Sequence, residues 1–322
     1  MRRRLVFAVL IAVLALLGAG AVLAWRAGRA PQAASEATRD TAAILDAAEQ
    51  YRRRGEADKA EAVLRAAVGQ NPGDEAVRGA YAEALLARGA REESLEQYAW
   101  LVAEGSASAS AAFRAGSLAA ALGQTDRAIA FHERAGALDP GNAEYPVHLA
   151  QAQIEAGRIE EAKASLARAA VLDEGRALVW GMLAELALRE NKLEIAARHI
   201  ARARAIEPDT PAWRVVEARV LKRRGEPERA LLVLSSLGEA DRWSEGVLGT
   251  MAECLGMLSR PDDAWALYET AIQRRPGEPA LRLEAALWAE RTGRVERALD
   301  LARQAAMMGE RRADAVVERL GG

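Results

Sequence analysis

The stretch "GQTDRAIAFHERAGALDPGN", residues 123–142, decides how this chain is read. Its first residue, Gly123, has counterparts 34 residues away at Gly89 and Gly157, and again at Gly55. Its Ala128 belongs to a longer series: Ala60, Ser94, Ala128, Ala162, Ala196, Ala230, Ala264 and Ala298 hold the 34-residue spacing without an insertion or deletion. Such a period marks a stack of equal supersecondary units, each of which touches only its neighbours.

Repeats that start at Thr41, Glu75, Ala109, Ala143, Ala177, Pro211, Glu245 and Pro279 give the recurrent residues a structural reason. Position 15 is Gly55, Gly89, Gly123, Gly157, Asn191, Gly225, Ser259 and Gly293. It is read as the turn between two helices, where glycine, and after it asparagine, tolerates a positive φ. Position 20 is the alanine series above, and its small side chain lets the two helices of a hairpin approach closely. Position 27 is mostly alanine as well and is read as the contact with the next repeat. Position 32 is proline in the odd repeats (Pro72, Pro140, Pro208 and Pro276), where it ends the second helix. Ser106, Glu174, Arg242 and Glu310 replace it in the even repeats, which hints at a doubled unit of 68 residues. A composition led by alanine, leucine, arginine and glutamate agrees with an all-α chain.

The pattern resembles the tetratricopeptide-repeat family. "GEADKAEAVLRAAVGQNPGD" (55–74), the stretch at 123–142 and "DDAWALYETAIQRRPGE" (262–278) are similar to its second helix and following turn. The resemblance runs over residues 41–310. It implies a right-handed superhelical α-solenoid of about eight helix-turn-helix repeats, with residues 311–322 as a capping helix. One departure is position 8, where the family favours glycine. This chain has alanine in seven repeats and glycine only at Gly116. Alanine keeps the close contact and is the better helix former.

Residues 5–25 contain no charged side chain. As a helix they span about 31 Å, against a hydrocarbon core of about 30 Å. Arg2, Arg3 and Arg4 precede the run, and Arg26 and Arg29 follow it. The stronger positive flank stays in the cytoplasm, so the expectation is an N-terminal transmembrane anchor (residues 1–30) with the repeats outside, in a bacterium the periplasm. The alternative is a signal peptide cleaved near Ala24, although the run is longer than the usual 7–15 residues, roughly, of such segments. Residues 31–40 form a short polar linker.

The rest of the chain is mildly acidic, which argues against nucleic acid as a partner. The single Cys254 excludes an intrachain disulfide and reads as a small buried apolar residue. His132, His148 and His199 show no metal-ligand spacing, and His132 occupies a packing position. No phosphate loop, HExxH or GxSxG pattern occurs. The expectation is therefore no enzyme, no cofactor, no metal and no small-molecule substrate.

In the family, positions 2, 5, 9, 12 and 13 of each first helix line a concave face that binds other proteins or peptide segments. Carried over to this chain, they make Phe113, Val147, Gln151, Ile154, Leu178, Glu185, Leu188 and Arg219 the candidate groove, with an apolar centre suited to an extended or helical client. The family's carboxylate-clamping residues are missing, since position 5 is Leu45, Phe113, Val147 and Val215 in four repeats. The resemblance implies a membrane-tethered scaffold, chaperone-like or an assembly factor for secretion, cytochrome c maturation or exopolysaccharide and pilus machinery. The alternative is a structural subunit that oligomerises through its convex face.

Overall fold

The computed structural model describes residues 40–105 and 108–321. They hold eighteen helices and, among the described residues, no strand. The expected membrane span at 5–25 and the linker before residue 40 lie outside the described residues. No described helix is long and apolar enough to cross a membrane.

The helices fall into two compact units, Met1–Gly157 and Arg158–Gly322. Unit 1 contains α1 (40–53), α2 (Ala57–Gln70), α3 (Glu75–Ala87), α4 (Arg91–Ala103), α5 (Ala109–Ala121), α6 (Thr125–Leu138) and α7 (Glu144–Glu155). Unit 2 opens with α8 (Ile159–Leu172), α9 (Ala177–Arg189), α10 (Leu193–Ile206), α11 (Pro211–Arg223) and α12 (Pro227–Ser235). It continues with α13 (Glu239–Arg242), α14 (Glu245–Met257), α15 (Pro261–Arg274), α16 (Pro279–Arg291), α17 (Val295–Met307) and α18 (Arg312–Gly321).

Within each unit, helices pack on their neighbours in sequence. First helices also touch the next first helix, α5 on α7 in unit 1 and α9 on α11 or α14 on α16 in unit 2. The turn residues adopt the left-handed conformation expected of them, at Gly55, Gly89, Gly123, Gly157, Asn191, Gly225, Ser259 and Gly293. Beside them an amide reaches back five residues to the helix end, as in Glu56 N–H to Tyr51 carbonyl (2.9 Å) and Arg294 N–H to Ala289 carbonyl (2.8 Å). Those bonds close carbonyls that the helix end leaves open.

The small residues are where the hairpins close. Ala128, Ala162, Ala196, Ala230, Ala264 and Ala298 have no exposed surface, and neither does Ser94, whose hydroxyl donates to the Ala82 carbonyl at 2.8 Å. Ala82, Ala150, Ala184, Ala218, Ala252 and Ala286, at position 8, are equally buried. Cys254 is a buried core residue, and burial pushes its thiol up to about 11.

Repeat six departs from the regular hairpin. Its second helix, α12, stops at Ser235, and the single turn α13 follows Gly238. Low-propensity Ser235, Ser236 and Gly238 weaken the helix here. Arginines satisfy the freed carbonyls: Arg242 donates to Leu237 (2.9 Å), Arg214 to Ser236 (3.2 Å) and Arg275 to Ala240 (2.6 Å). Leu237 still packs as a core residue, 1 % exposed. At the C-terminal end of unit 2, α18 sets Ala313 and Val316 into the last apolar cluster, with Val317 and Leu320 partly covered.

Candidate interaction surfaces

In unit 1 the first helices α1, α3 and α5 surround a depression of about 670 Å³. Position 5 contributes Leu45 and Gly79, position 6 Ala80 and Arg114, position 9 Glu83, and position 2 Ala76 and Ser110. Tyr98 and Leu101 of α4 complete it. Gly79 makes the room: a Cβ there would meet only the tip of Leu101, at 4.0 Å. At the rim Arg114 pairs with Glu83 at 3.3 Å, both half exposed. Tyr98 is 3 % exposed, and the Arg114 guanidinium lies over its ring, 6.0 Å from the centroid. Burial raises its pKa above the ordinary phenol value, which keeps the O–H intact at neutral pH. A smaller recess of about 110 Å³ adjoins the depression and shares Leu45, Ala80 and Glu83 with it.

The sequence-predicted groove residues fare differently from one another. Phe113 is half buried in an aromatic cluster, its ring centroid 5.4 Å from Tyr145, 5.6 Å from His132 and 4.9 Å from His148. Val147 and Leu188 are 1 % and 3 % exposed, core residues with no side chain to offer a client. Gln151 and Ile154 are half buried, and Leu178 is exposed. Glu185 and Arg219, one repeat apart at position 9, are brought together as an ion pair of 2.5 Å. Farther along unit 2, Glu253 pairs with Lys222 and, at 3.7 Å, with Arg291. On the first helices of unit 2 these ion pairs are accompanied by the exposed apolar side chains Leu178, Met257 and Leu287.

The depression at the first three repeats was missed by sequence reasoning. A signal was present: Gly79 stands at position 5, where the neighbouring repeats carry Leu45 and Phe113. Among the described residues, no group of three or more His, Cys, Asp and Glu side chains could hold a metal ion.

Sequence profiles of the tetratricopeptide repeat match residues 41–84, 119–186 and 257–315, together more than half of the chain. The chain belongs to the tetratricopeptide-repeat family. Proteins of this family bind other proteins or peptides, and their fold is a scaffold for such contacts. Among solved structures, the chain is similar to the Cut9–Hcn1 hetero-tetramer of the APC/C, at 14% identity and a TM-score of 0.54 over 86% of this chain and 55% of that one. It is similar to yeast Tom70, at 18% identity and a TM-score of 0.54 over 83% of this chain and 59% of that one. Against Pseudomonas aeruginosa PilF the identity is 17% and the TM-score 0.53, over 67% of this chain and 98% of PilF. The tetratricopeptide-repeat chain described here therefore spans little more than half of the Cut9–Hcn1 and Tom70 chains. At these identities the likeness concerns the fold alone. A sequence search among curated proteins returns no match.

Proposed function

We propose that this protein is a scaffold that holds client polypeptides on its first-helix faces, tethered to a membrane by residues 5–25 with the repeats in the periplasm. The observation that carries the binding reading is the depression in unit 1. Its wall residues Ala76, Glu83 and Arg114 are exposed, the last two as a pair at the rim, so a partner can reach them. The tether rests on the uncharged run at 5–25 and on the heavier positive charge before it. Secretion, cytochrome c maturation and exopolysaccharide or pilus assembly are the settings in which such a tethered client-holder would work.

Two experiments test this. Alkaline phosphatase fused after residue 322 should be active, and the mature chain should keep its first residues. A mature chain that starts after Ala24 refutes the tether and favours a released form. Purification from solubilised membranes, followed by mass spectrometry, distinguishes a chaperone (many clients) from a dedicated subunit (one stoichiometric partner).

A second reading, oligomerisation through the convex face, is favoured by one observation in unit 2. The guanidinium groups of Arg294 (5.4 Å) and Arg297 (5.8 Å) lie over the ring of Trp265, while Leu232 and Val295 are exposed on second helices. Trp and Arg are the residues that most often dominate an interface. Sedimentation of the wild type and of Trp265→Ala decides it: a wild-type oligomer that the substitution dissociates supports this second reading.

A further inference from the structure

His132 stands at position 24, which Leu64 and Leu166 occupy in repeats one and four. Its ring lies over Gly116 of α5, so close that a Cβ on Gly116 would fall 2.7 Å from it. The missing side chain is the seat of the imidazole. The ring is buried, and its Nδ1 has no hydrogen-bond partner. His148 of α7 stands beside it, with ring centroids 5.7 Å apart and planes 29° from parallel. Phe113 touches both histidines, and Tyr145 touches Phe113. Four rings from three helices thus gather around two imidazoles.

The surroundings decide what a proton does there. The helices packed on α6 are α5 and α7. The one charge on α5, Arg114, is engaged with Glu83 at 3.3 Å. From α7 come Tyr145 and Glu144, whose carboxylate lies 3.6 Å from Nε2 of His148. On α6 itself Glu133 and Arg134 are exposed. The nearby carboxylate is therefore placed to meet a charge on His148, and a charge on His148 repels one on His132. A proton on His132 enters a buried seat beside a second imidazole. Burying such a charge without a counter-charge is strongly unfavourable, and the strain is relieved when the ring leaves the seat.

We propose that His132 is an acid-operated latch of the third and fourth repeats: its protonation drives the imidazole out of the Gly116 seat and opens α6 from α5 and α7, while unit 2 stays folded. The opening can be local because each repeat contacts only its neighbours. It removes one wall of the ring cluster that holds Phe113 on the first-helix face, so acid remodels that face. In the closed state burial first, and then His148, push the His132 pKa from 6.5 down to about 4. Opening therefore takes up a proton and is favoured as the pH falls from 6.5 toward 4. Between pH 7 and pH 5 the open population should rise about twentyfold.

The test is hydrogen exchange of the full chain in detergent, with no client added, at pH 7, 6 and 5, corrected for the intrinsic pH dependence of exchange. Amides of α5, α6 and α7 should lose protection about twentyfold between pH 7 and pH 5, and those of α15 and α17 should keep theirs. His132→Leu, which copies repeats one and four, should hold protection constant over that range. His132→Gln, polar but with no proton to gain, should do the same and replaces the leucine variant if that one fails to fold. An even loss across both units overturns the latch. So does an equal local loss in a folded variant, or a wild type whose protection does not change with pH. With no client present, failure of the latch is distinct from failure of the scaffold reading, which the purification tests.

Discussion

Arg78 donates to the carbonyl of Pro72, six residues before it, at 2.8 Å. The same guanidinium donates to Gln97 (2.6 Å) and lies 3.8 Å from the ring centroid of Trp100. The Pro72 contact recurs at other junctions. Arg214 donates to the Pro208 carbonyl (3.4 Å), Arg282 to the Pro276 carbonyl (2.7 Å) and, with an indole N–H, Trp180 to the Glu174 carbonyl (2.9 Å). A carbonyl just past a helix end needs a partner, and position 4 of the next repeat supplies it. This accounts for part of the doubled unit. Proline at position 32 is followed by arginine at position 4 in "PGDEAVR" (72–78), "PDTPAWR" (208–214) and "PGEPALR" (276–282), so the pair is distributed over an odd repeat and the next even one. The fourth proline, Pro140, is followed at that place by Pro146, which has no such donor.

Removing the junction arginine should therefore loosen two repeats at once. Arg78→Ala should cost about 2–4 kcal/mol, from charged hydrogen bonds and the stacked ring. Arg78→Lys should recover only part of that, because an ammonium lacks the planar fork that reaches Pro72 and Gln97 together. Urea denaturation of the three proteins measures both effects. Equal stability of Arg78→Ala and wild type would show that the contact contributes nothing.

Gly116 and His132 should behave as a coupled pair. A Cβ on Gly116 would lie 2.7 Å from the His132 ring, whereas other repeats combine alanine at position 8 with Leu64 or Leu166 at position 24. Gly116→Ala alone should destabilise through overpacking, by about 1–3 kcal/mol before a helix-propensity gain of about 1 kcal/mol. In a His132→Leu background the same substitution should stabilise. A double-mutant cycle with no sign change contradicts this packing account.

His132 should also make stability pH-dependent. It is 2 % exposed, and burial first, then the nearby His148, lowers its pKa from 6.5 to about 4. The folded state thus binds its proton less readily than the unfolded chain. Its contribution is intact above pH 6.5 and is lost progressively as the pH falls from 6.5 toward 4, by about 3 kcal/mol in all. His132→Leu should flatten that window relative to the wild type in melts taken at successive pH values.

The turn at Ser259 offers a gain. Its φ is 58°, a left-handed value that a side chain disfavours. Ser259→Gly should raise stability by about 1 kcal/mol, most of the cost of a left-handed non-glycine residue less the extra backbone entropy of glycine. A calorimetric melt reads the shift, which should be upward and without loss of helix content.

What could be read from the sequence was whatever one position dictates by itself. Glycine at 15 and alanine at 8 and 20 have a meaning wherever they stand, and the hairpins close on them. What could not be read depends on pairs. The junction arginine matters only with the proline before it, and Gly116 only with His132. Glu185 and Arg219 could each be placed at position 9, but not their pairing across one repeat. Val147 and Leu188 belong to the core because their positions also face a neighbouring helix, a distinction that period alone does not carry. The break in repeat six follows from two serines and a glycine whose weakness is offset by arginines distant in sequence.

A photoreactive residue placed at Ala76, in the depression, and another at Leu232, on the convex side, test the central claim most directly. In intact membranes the account predicts client polypeptides cross-linked from position 76, lost when Gly79→Leu is added, and none from position 232. Cross-links from 232 alone, to a second copy of this chain, would contradict it and make the convex face the working surface.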